Sequence, residues 1–324
     1  NILVTEGDPR DPGDPSKVKP LQGSVGIGAD AYGATAPAYD FTFRTVREAM
    51  GYLEYAKTAG NVTFEFTDAA YNVDAADLPL TINEHSHNLA FEPRIGITPS
   101  IFGSSTTGAA SIFYFDRTDN VTIDGSNNGT TSRDLTISNT DLGESRAIFF
   151  GSSNESTGNA TNNITIKNCI IDDAGDAAKS GISVGILFRD RIASGTQGSF
   201  DNITIENNDF RRATWGINLN GGDESSNSGK NITISKNKLD NTGADQLIQK
   251  GMRIQGVDGG TISGNTIGNI SGSEGQNDTG IELFGGCQNL TIEKNEIYDL
   301  NNTNSVGWGA HGLSIRTGMV TPNI

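Results

Sequence analysis

The chain has 324 residues, a formal net charge of −16 and a pI of about 4.5. That balance opposes partners that demand a basic surface, such as nucleic acid or an anionic membrane. It also opposes polyanionic glycans unless a bound cation bridges the two negative surfaces. Hydrophobic residues make up only 34%, Gly numbers 41, and no run of 18 apolar residues exists to span a bilayer, so short strands and tight turns are expected rather than long helices.

Residues 1–40 are rich in Pro, Gly and Asp and read as an extended lead-in with some β content. Asp8-Pro9, Asp11-Pro12 and Asp14-Pro15 recur every three residues, which on a polyproline II helix spaces the carboxylates about 9 Å apart along one edge. One Ca²⁺ needs ligands at about 2.3–2.6 Å, so this row is a solvated linker rather than an ion cage. Residues 45–57 form a helix. Thr45 and Glu48 make a capping box, Val46, Ala49, Met50, Leu53 and Ala56 share a face, and Gly60 follows as a stop. Val62, Phe64 and Phe66 then alternate as a half-buried strand. Residues 61–160 read as irregular coils, with short strands at 89–92, 112–115, 121–124, 135–138 and 147–150.

From residue 161 to 324 the chain repeats. NITIKNCII starts at Asn163, NITIENNDF at Asn202, NITISKNKL at Asn231, GGTISGNTI at Gly259 and NLTIEKNEI at Asn289. The second Ile falls at Ile166, Ile205, Ile234, Ile262 and Ile292, at intervals of 39, 29, 28 and 30 residues. A period near 29 built from strand formers marks a solenoid of about three strands per coil. A first strand carries Ile-Thr-Ile. A second ends at Ile171, Phe210, Leu239, Ile267 or Ile297, and a Gly-led third starts at 185, 216, 251, 280 or 312. The helix at 45–57 caps the first coil, which would otherwise expose apolar core and unpaired edges. Asn208, Asn237, Asn265 and Asn295 each lie three residues after the strand Ile and, stacked in register, form a structural ladder. Cys169 and Cys287 sit about four coils apart, roughly 19 Å at 4.8 Å per coil, beyond the reach of a disulfide. The chain opens at Asn1 without Met and stops at Ile324 within the pattern, so both ends are expected to be cuts in a longer chain with further coils beyond 324.

These phrases resemble right-handed parallel β-helix proteins of the pectate-lyase-like superfamily. More narrowly they resemble large repeat-containing surface proteins that Bacteroidota export by type IX secretion. VTIDGSNNGTTSRDLTISNT from Val121, GVDGGTISGNTIGNISG from Gly256 and GIELFGGCQNLTIEKNEIYDLN from Gly280 carry the narrower likeness. The resemblance implies an all-β solenoid over roughly residues 41–320, an extracellular or cell-surface location, and export. The sorting domain of that group is absent from these residues.

Catalytic constellations are thin. His311-Gly312 and Asp172-Asp173 are similar to elements of polygalacturonase-type hydrolases, but they fall more than four coils apart, whereas an acid and base must lie within about 10 Å. A lyase needs a base plus Arg or Ca²⁺ to neutralise a uronate. On the third strand the outward column reads Leu187, Asn218, Arg253, Glu282 and Ser314, where Arg253 and Glu282 form a cross-coil pair and Arg189 and Arg316 stand isolated. Asp172, Asp173 and Asp176 share one turn and are the candidate Ca²⁺ ligands, against the plainer reading of a solvated acidic loop. His85 and His87 alternate in NEHSHN, two ligands without a third. The Thr column at 165, 204, 233, 261 and 291 packs as a β-branched ladder beside an irregular, charged neighbour column. The Asn-X-Thr sequons fall inside the strand repeat and follow from it.

Trp215, Phe284 and Trp308 stand close to the third strand. With Asn218, Arg253 and Glu282 they are the candidate glycan contacts; burial of two of the three aromatics is the competing expectation. No cofactor is required. The chain reads as a non-catalytic segment of an exported adhesin or surface filament that meets a cell-surface or extracellular glycan or protein. The alternative is a carbohydrate-active enzyme, a lyase ahead of a hydrolase.

Overall fold

The computed structural model describes residues 18–33, 37–104, 111–141, 143–151, 161–173, 182–189, 199–222, 228–272, 276–303 and 307–316. Three long sheets of parallel strands run side by side, with ten, eight and eight strands. The chain visits first, second and third sheets in turn. Its opening circuit is Thr58–Phe66, Ala70–Val73 and Leu80–Asn83, and the eighth is Gln288–Glu293, Glu296–Ile297 and Ala310–Arg316. This is a right-handed parallel β-helix.

The repeat phrase has a backbone cause. Asn120, Asn163, Asn202, Asn231 and Asn289 open it with φ between 50° and 57°, and Gly259 holds 83° at the same place. Asn and Gly are the residues that tolerate this left-handed conformation best. The two Ile positions behind it then point inward: Ile203 and Ile205 are fully buried, with Thr204 half-exposed between them. A second left-handed residue ends each first strand at Asn168, Asn207, Lys236, Gly264 and Lys294.

Directly after that turn the inward Asn residues stack. The Asn237 backbone N–H and Nδ2 both donate to Asn265 Oδ1 at 3.0 Å, and Nδ2 also donates to Ile205 O at 2.8 Å. Asn208 repeats the pattern onto Asn237, and Asn265 onto Asn295. Cys169 heads the column, its N–H donating to Asn208 Oδ1 at 3.0 Å. Cys169 and Cys287 are both buried and unbridged, and burial pushes both thiols up. The Gly-led third strand also has a packing reason. A Cβ on Gly251 would lie 2.6 Å from Gly280 O and 2.6 Å from Ile267 Cγ2, because chain and second-sheet side chain both crowd this corner. Inside the early coils Phe115, Phe150 and Phe188 stack at 4.5 and 4.6 Å. Leu219, Ile254 and Leu283 continue that inner column.

At the N-terminal end, Leu21–Ile27 pairs parallel with both Thr58–Phe66 and Phe41–Phe43, so part of the expected lead-in is a strand of the first sheet. The helix runs Val46–Ala56 and buries Val46, Ala49, Met50, Tyr52, Leu53 and Ala56. Thr45 Oγ1 accepts from Glu48 N–H at 3.1 Å, and Glu48 Oε2 accepts from Arg44 N–H at 2.9 Å, one residue ahead of the usual capping-box donor. The expected stop at Gly60 is corrected. Lys57 ends the helix with φ 60°, and Gly60 lies within the following strand. Glu54 ties the helix to the end of Leu80–Asn83, accepting from Asn83 N–H at 2.7 Å with His85 Nε2 at 3.5 Å. Among the described residues no helix is long and apolar enough to cross a membrane.

Candidate functional site

On the third sheet the residue before each Gly-led segment and the residue three places further on both reach the outer face, so strict alternation is broken at that step. One outward column reads Arg146, Val184, Trp215, Lys250, Thr279 and His311, and the next reads Tyr114, Phe149, Leu187, Asn218, Arg253, Glu282 and Ser314. An outer face is ordinarily wet. Here Tyr114, Phe149, Val184, Leu187 and Trp215 form a second apolar cluster outside the solenoid core, each at most 7% exposed. A cleft of about 370 Å³ opens beside this cluster, lined by the apolar Ile182, Val184, Leu187 and Trp215. Its polar lining is Asn218, Asn220, Gln255, Glu144 and three arginines, Arg146, Arg189 and Arg253.

The arginines are held from different coils. Arg146 sits on Arg146–Gly151 with its guanidinium 3.8 Å from Glu144, Arg189 follows Val184–Phe188, and Arg253 lies on Lys250–Gln255. Arg253 is braced on all sides. Its guanidinium lies 5.4 Å from the Trp215 ring and 4.3 Å from the Phe284 ring. It donates to Gln255 Oε1 at 3.1 Å and approaches Glu282 at 3.6 Å. Burial pulls the pKa of Arg146 and Arg253 down, and the neighbouring charges of Arg189 and Arg316 respectively pull the same way. Arginine stays charged regardless, so these shifts describe crowded, partly desolvated positive charge.

Behind the cleft, Lys250 Nζ meets Glu282 Oε2 at 2.9 Å with both side chains at most 5% exposed. Arg316 joins Glu282 at 3.7 Å. Trp215 Nε1–H donates to Gln249 Oε1 at 2.6 Å, and the Lys250 ammonium lies 5.6 Å from its ring. Five of the six candidate glycan residues thus share this face, but their roles change. Glu282 is 2% exposed and is an internal counter-ion, not a contact. Trp215 is 5% exposed, with cations against its ring rather than a free stacking surface. Trp308 is 42% exposed and lies beside the last strand, three strands further along the sheet, outside the cleft. Arg189 and Arg316 are not isolated: the first joins the cleft and the second joins Glu282. Arg146, Gln255 and Asn220 were missed because they stand in columns adjacent to the one followed in the sequence. Arg146 also belongs to an irregular coil with no repeat phrase to set its register.

The acidic turn does not converge. Asp172 points outward, accepting from Nε and Nη2 of Arg212, while Asp173 points inward, 0% exposed, and accepts from Ser145 Oγ at 2.6 Å. Successive residues of a strand face opposite sides of the sheet, so these two carboxylates cannot share one ion. Asp176 and the Asp-Pro row at 8–15 lie outside the described residues. His85 is buried against Glu54, whereas His87 Nδ1 bonds Thr58 Oγ1 at 2.9 Å. Among the described residues no three of His, Cys, Asp and Glu gather where a metal ion would sit. His311 and Asp172 lie on different sheets, four circuits apart.

No protein-family model and no curated protein matches the sequence. Among solved structures, the chain is similar to a pectin methylesterase from Aspergillus niger at 10% identity and TM-score 0.40, covering 94% of this chain and 93% of that one. A mannuronan C-5 epimerase A-module from Azotobacter vinelandii aligns at 13% identity and TM-score 0.28, covering 86% and 96%. A tailspike protein from the Acinetobacter baumannii bacteriophage Fri1, a capsular polysaccharide depolymerase, aligns at 8% identity and TM-score 0.25, covering 93% and 62%. At these values the comparisons assign no activity to this chain.

Proposed function

We propose that this chain is a non-catalytic segment of an exported cell-surface protein, and that the cleft on the outer face of the third sheet is its glycan-contact site. The cleft's lining carries this reading. Asn218, Asn220 and Gln255 each offer a donor and an acceptor to sugar hydroxyls, beside guanidinium planes and an apolar wall. The acidic exterior keeps a long rod soluble, and each coil adds about 4.8 Å of reach. The proposed partner is therefore an extracellular or cell-surface glycan, met on a surface that the rod holds away from the cell.

One observation favours a carbohydrate-active enzyme as the second reading: the exposed carboxylate of Glu144 lines the same cleft as three arginines, which could neutralise a uronate. Against it, the close amine–carboxylate pair of this face, Lys250 and Glu282, is sealed from solvent and each group neutralises the other. A polysaccharide panel separates the readings. Retention of glycan without new reducing ends or unsaturated products, with and without Ca²⁺, is the expected result. Turnover of any polymer would replace the contact role with a catalytic one, and binding to none would remove both.

A further inference from the structure

We propose that the cleft recognises the anionic groups of an acidic saccharide directly on Arg189 and Arg253, with Arg146 as a buried positive charge behind them and no bridging divalent cation. This rests on the glycan-contact reading of the cleft and names the class of glycan it takes. The chain's charge of −16 argues the other way at first sight. Charges more than about 10 Å away are largely screened at ordinary ionic strength, however, so the local set decides. Locally, three arginines face one carboxylate, Glu144, which at 57% side-chain exposure is the most solvated of the charged groups assigned to the cleft in its ion pair with Arg146. Among the other described carboxylates nearby, Glu282 lies beneath the cleft and is already shared by Lys250, Arg253 and Arg316, and Asp173 is buried and accepts from Ser145.

Geometry adds to charge. The guanidinium is a planar fork that matches a carboxylate or sulfate with two parallel bonds. Arg253 is fixed in its plane by Trp215, Phe284 and Gln255, so little side-chain freedom is left to lose on binding. Arg189 follows a strand that lies two along the third sheet from the strand of Arg253, about 10 Å along the axis. That span exceeds one anion and fits an oligosaccharide laid along the coils. Desolvation of Arg146 and Arg253 in the free protein gives a bound anion something to relieve.

Calorimetry on the whole chain in EDTA tests this with four oligosaccharides of equal length: a polyuronate, its methyl ester, a sulfated neutral backbone, and that backbone unsulfated. The polyuronate or the sulfated probe is expected to bind, more weakly as salt is raised, and the stronger of the two identifies the anion. Arg189→Gln should weaken that binding about tenfold to a hundredfold, the loss of a charge-assisted contact, with an unchanged melting temperature. Should that variant fold poorly, Arg253→Lys, which keeps the charge and loses the fork, should weaken it by a similar factor. Equal binding of the charged and uncharged probes, or binding only on adding Ca²⁺, would overturn the direct anion contact while leaving a glycan cleft in place. Binding of none would remove the glycan reading as well.

Discussion

The outer faces of the first and third sheets lie on the same coils, yet they differ in kind. Along the first, Thr122, Thr165, Thr204, Thr233, Thr261 and Thr291 share one register column and remain half-exposed or exposed. Along the third, the corresponding column runs Tyr114, Phe149, Leu187, Asn218, Arg253 and Glu282, and all but Arg253 are buried. Stacking dictates the inward and turn positions of every coil. Outward positions answer only to β propensity and neighbours. A regular outer face therefore tells of the fold alone. An outer face that abandons the repeat, buries polar groups and gathers three arginines meets no demand of the coil, and function is best sought there.

The contrast is broken most severely at Glu282. Glu282→Gln leaves Lys250 buried without its counter-charge and should cost about 3–5 kcal/mol, read from denaturant unfolding. The double variant Lys250→Met, Glu282→Leu should be more stable than Glu282→Gln. If it is no better, the buried pair is not what holds this face. Inside the corner, Asn237→Leu strips the bonds received from Asn208 and those given to Ile205 and Asn265, and should cost about 2–4 kcal/mol. A loss below about 1 kcal/mol would mean the column is dispensable to the stack.

Asp278 sharpens the comparison through pH. Burial pushes its carboxyl up to about 6, against the N–H of Gly272 that it accepts. Its folded value lies above its unfolded one, so its contribution is complete below about pH 4 and is lost as pH rises through 6. Glu54 has the opposite sign. Burial raises it, but the nearby His85 ring and the bonds from Asn83 outweigh burial and hold it at about 2, so its contribution stands above its ordinary range and fades as pH falls towards 2. The melting temperature of Asp278→Asn should therefore gain on the parent between pH 4 and 7, and a constant difference across that range would contradict the assignment. The smallest effect belongs to the first sheet. Thr233→Ala, at an exposed repeat position, should change stability by less than about 0.5 kcal/mol in the same denaturation experiment.

Much of the solenoid was legible in residue spacing. Ile203 and Ile205 face inward, the strands expected at 112–115 and 147–150 appear as Ser111–Asp116 and Arg146–Gly151, and Asn237 lies in the column that its distance from Ile234 selects. Local periodicity carries these because each coil stacks on its neighbour under the same constraint. The helix stop at Lys57 was not legible, since the left-handed residue there is a lysine and Gly60 is the stronger local signal. Nor was the divergence of Asp172 and Asp173, which follows from strand pleat once 169–173 is known to be a strand and not a turn.

The sequence by itself determined the coil, its inward residues and its turns, because these depend on interactions repeated every 28–30 residues. Only the tertiary structure decided the cleft. Arg146, Arg189 and Arg253 lie tens of residues apart, in unlike local contexts and different columns, and they converge only when four coils are wound and stacked. It also decided that Glu282 is an internal counter-ion rather than a ligand contact. Burial is a property of the packed face, and no window of sequence around residue 282 contains it.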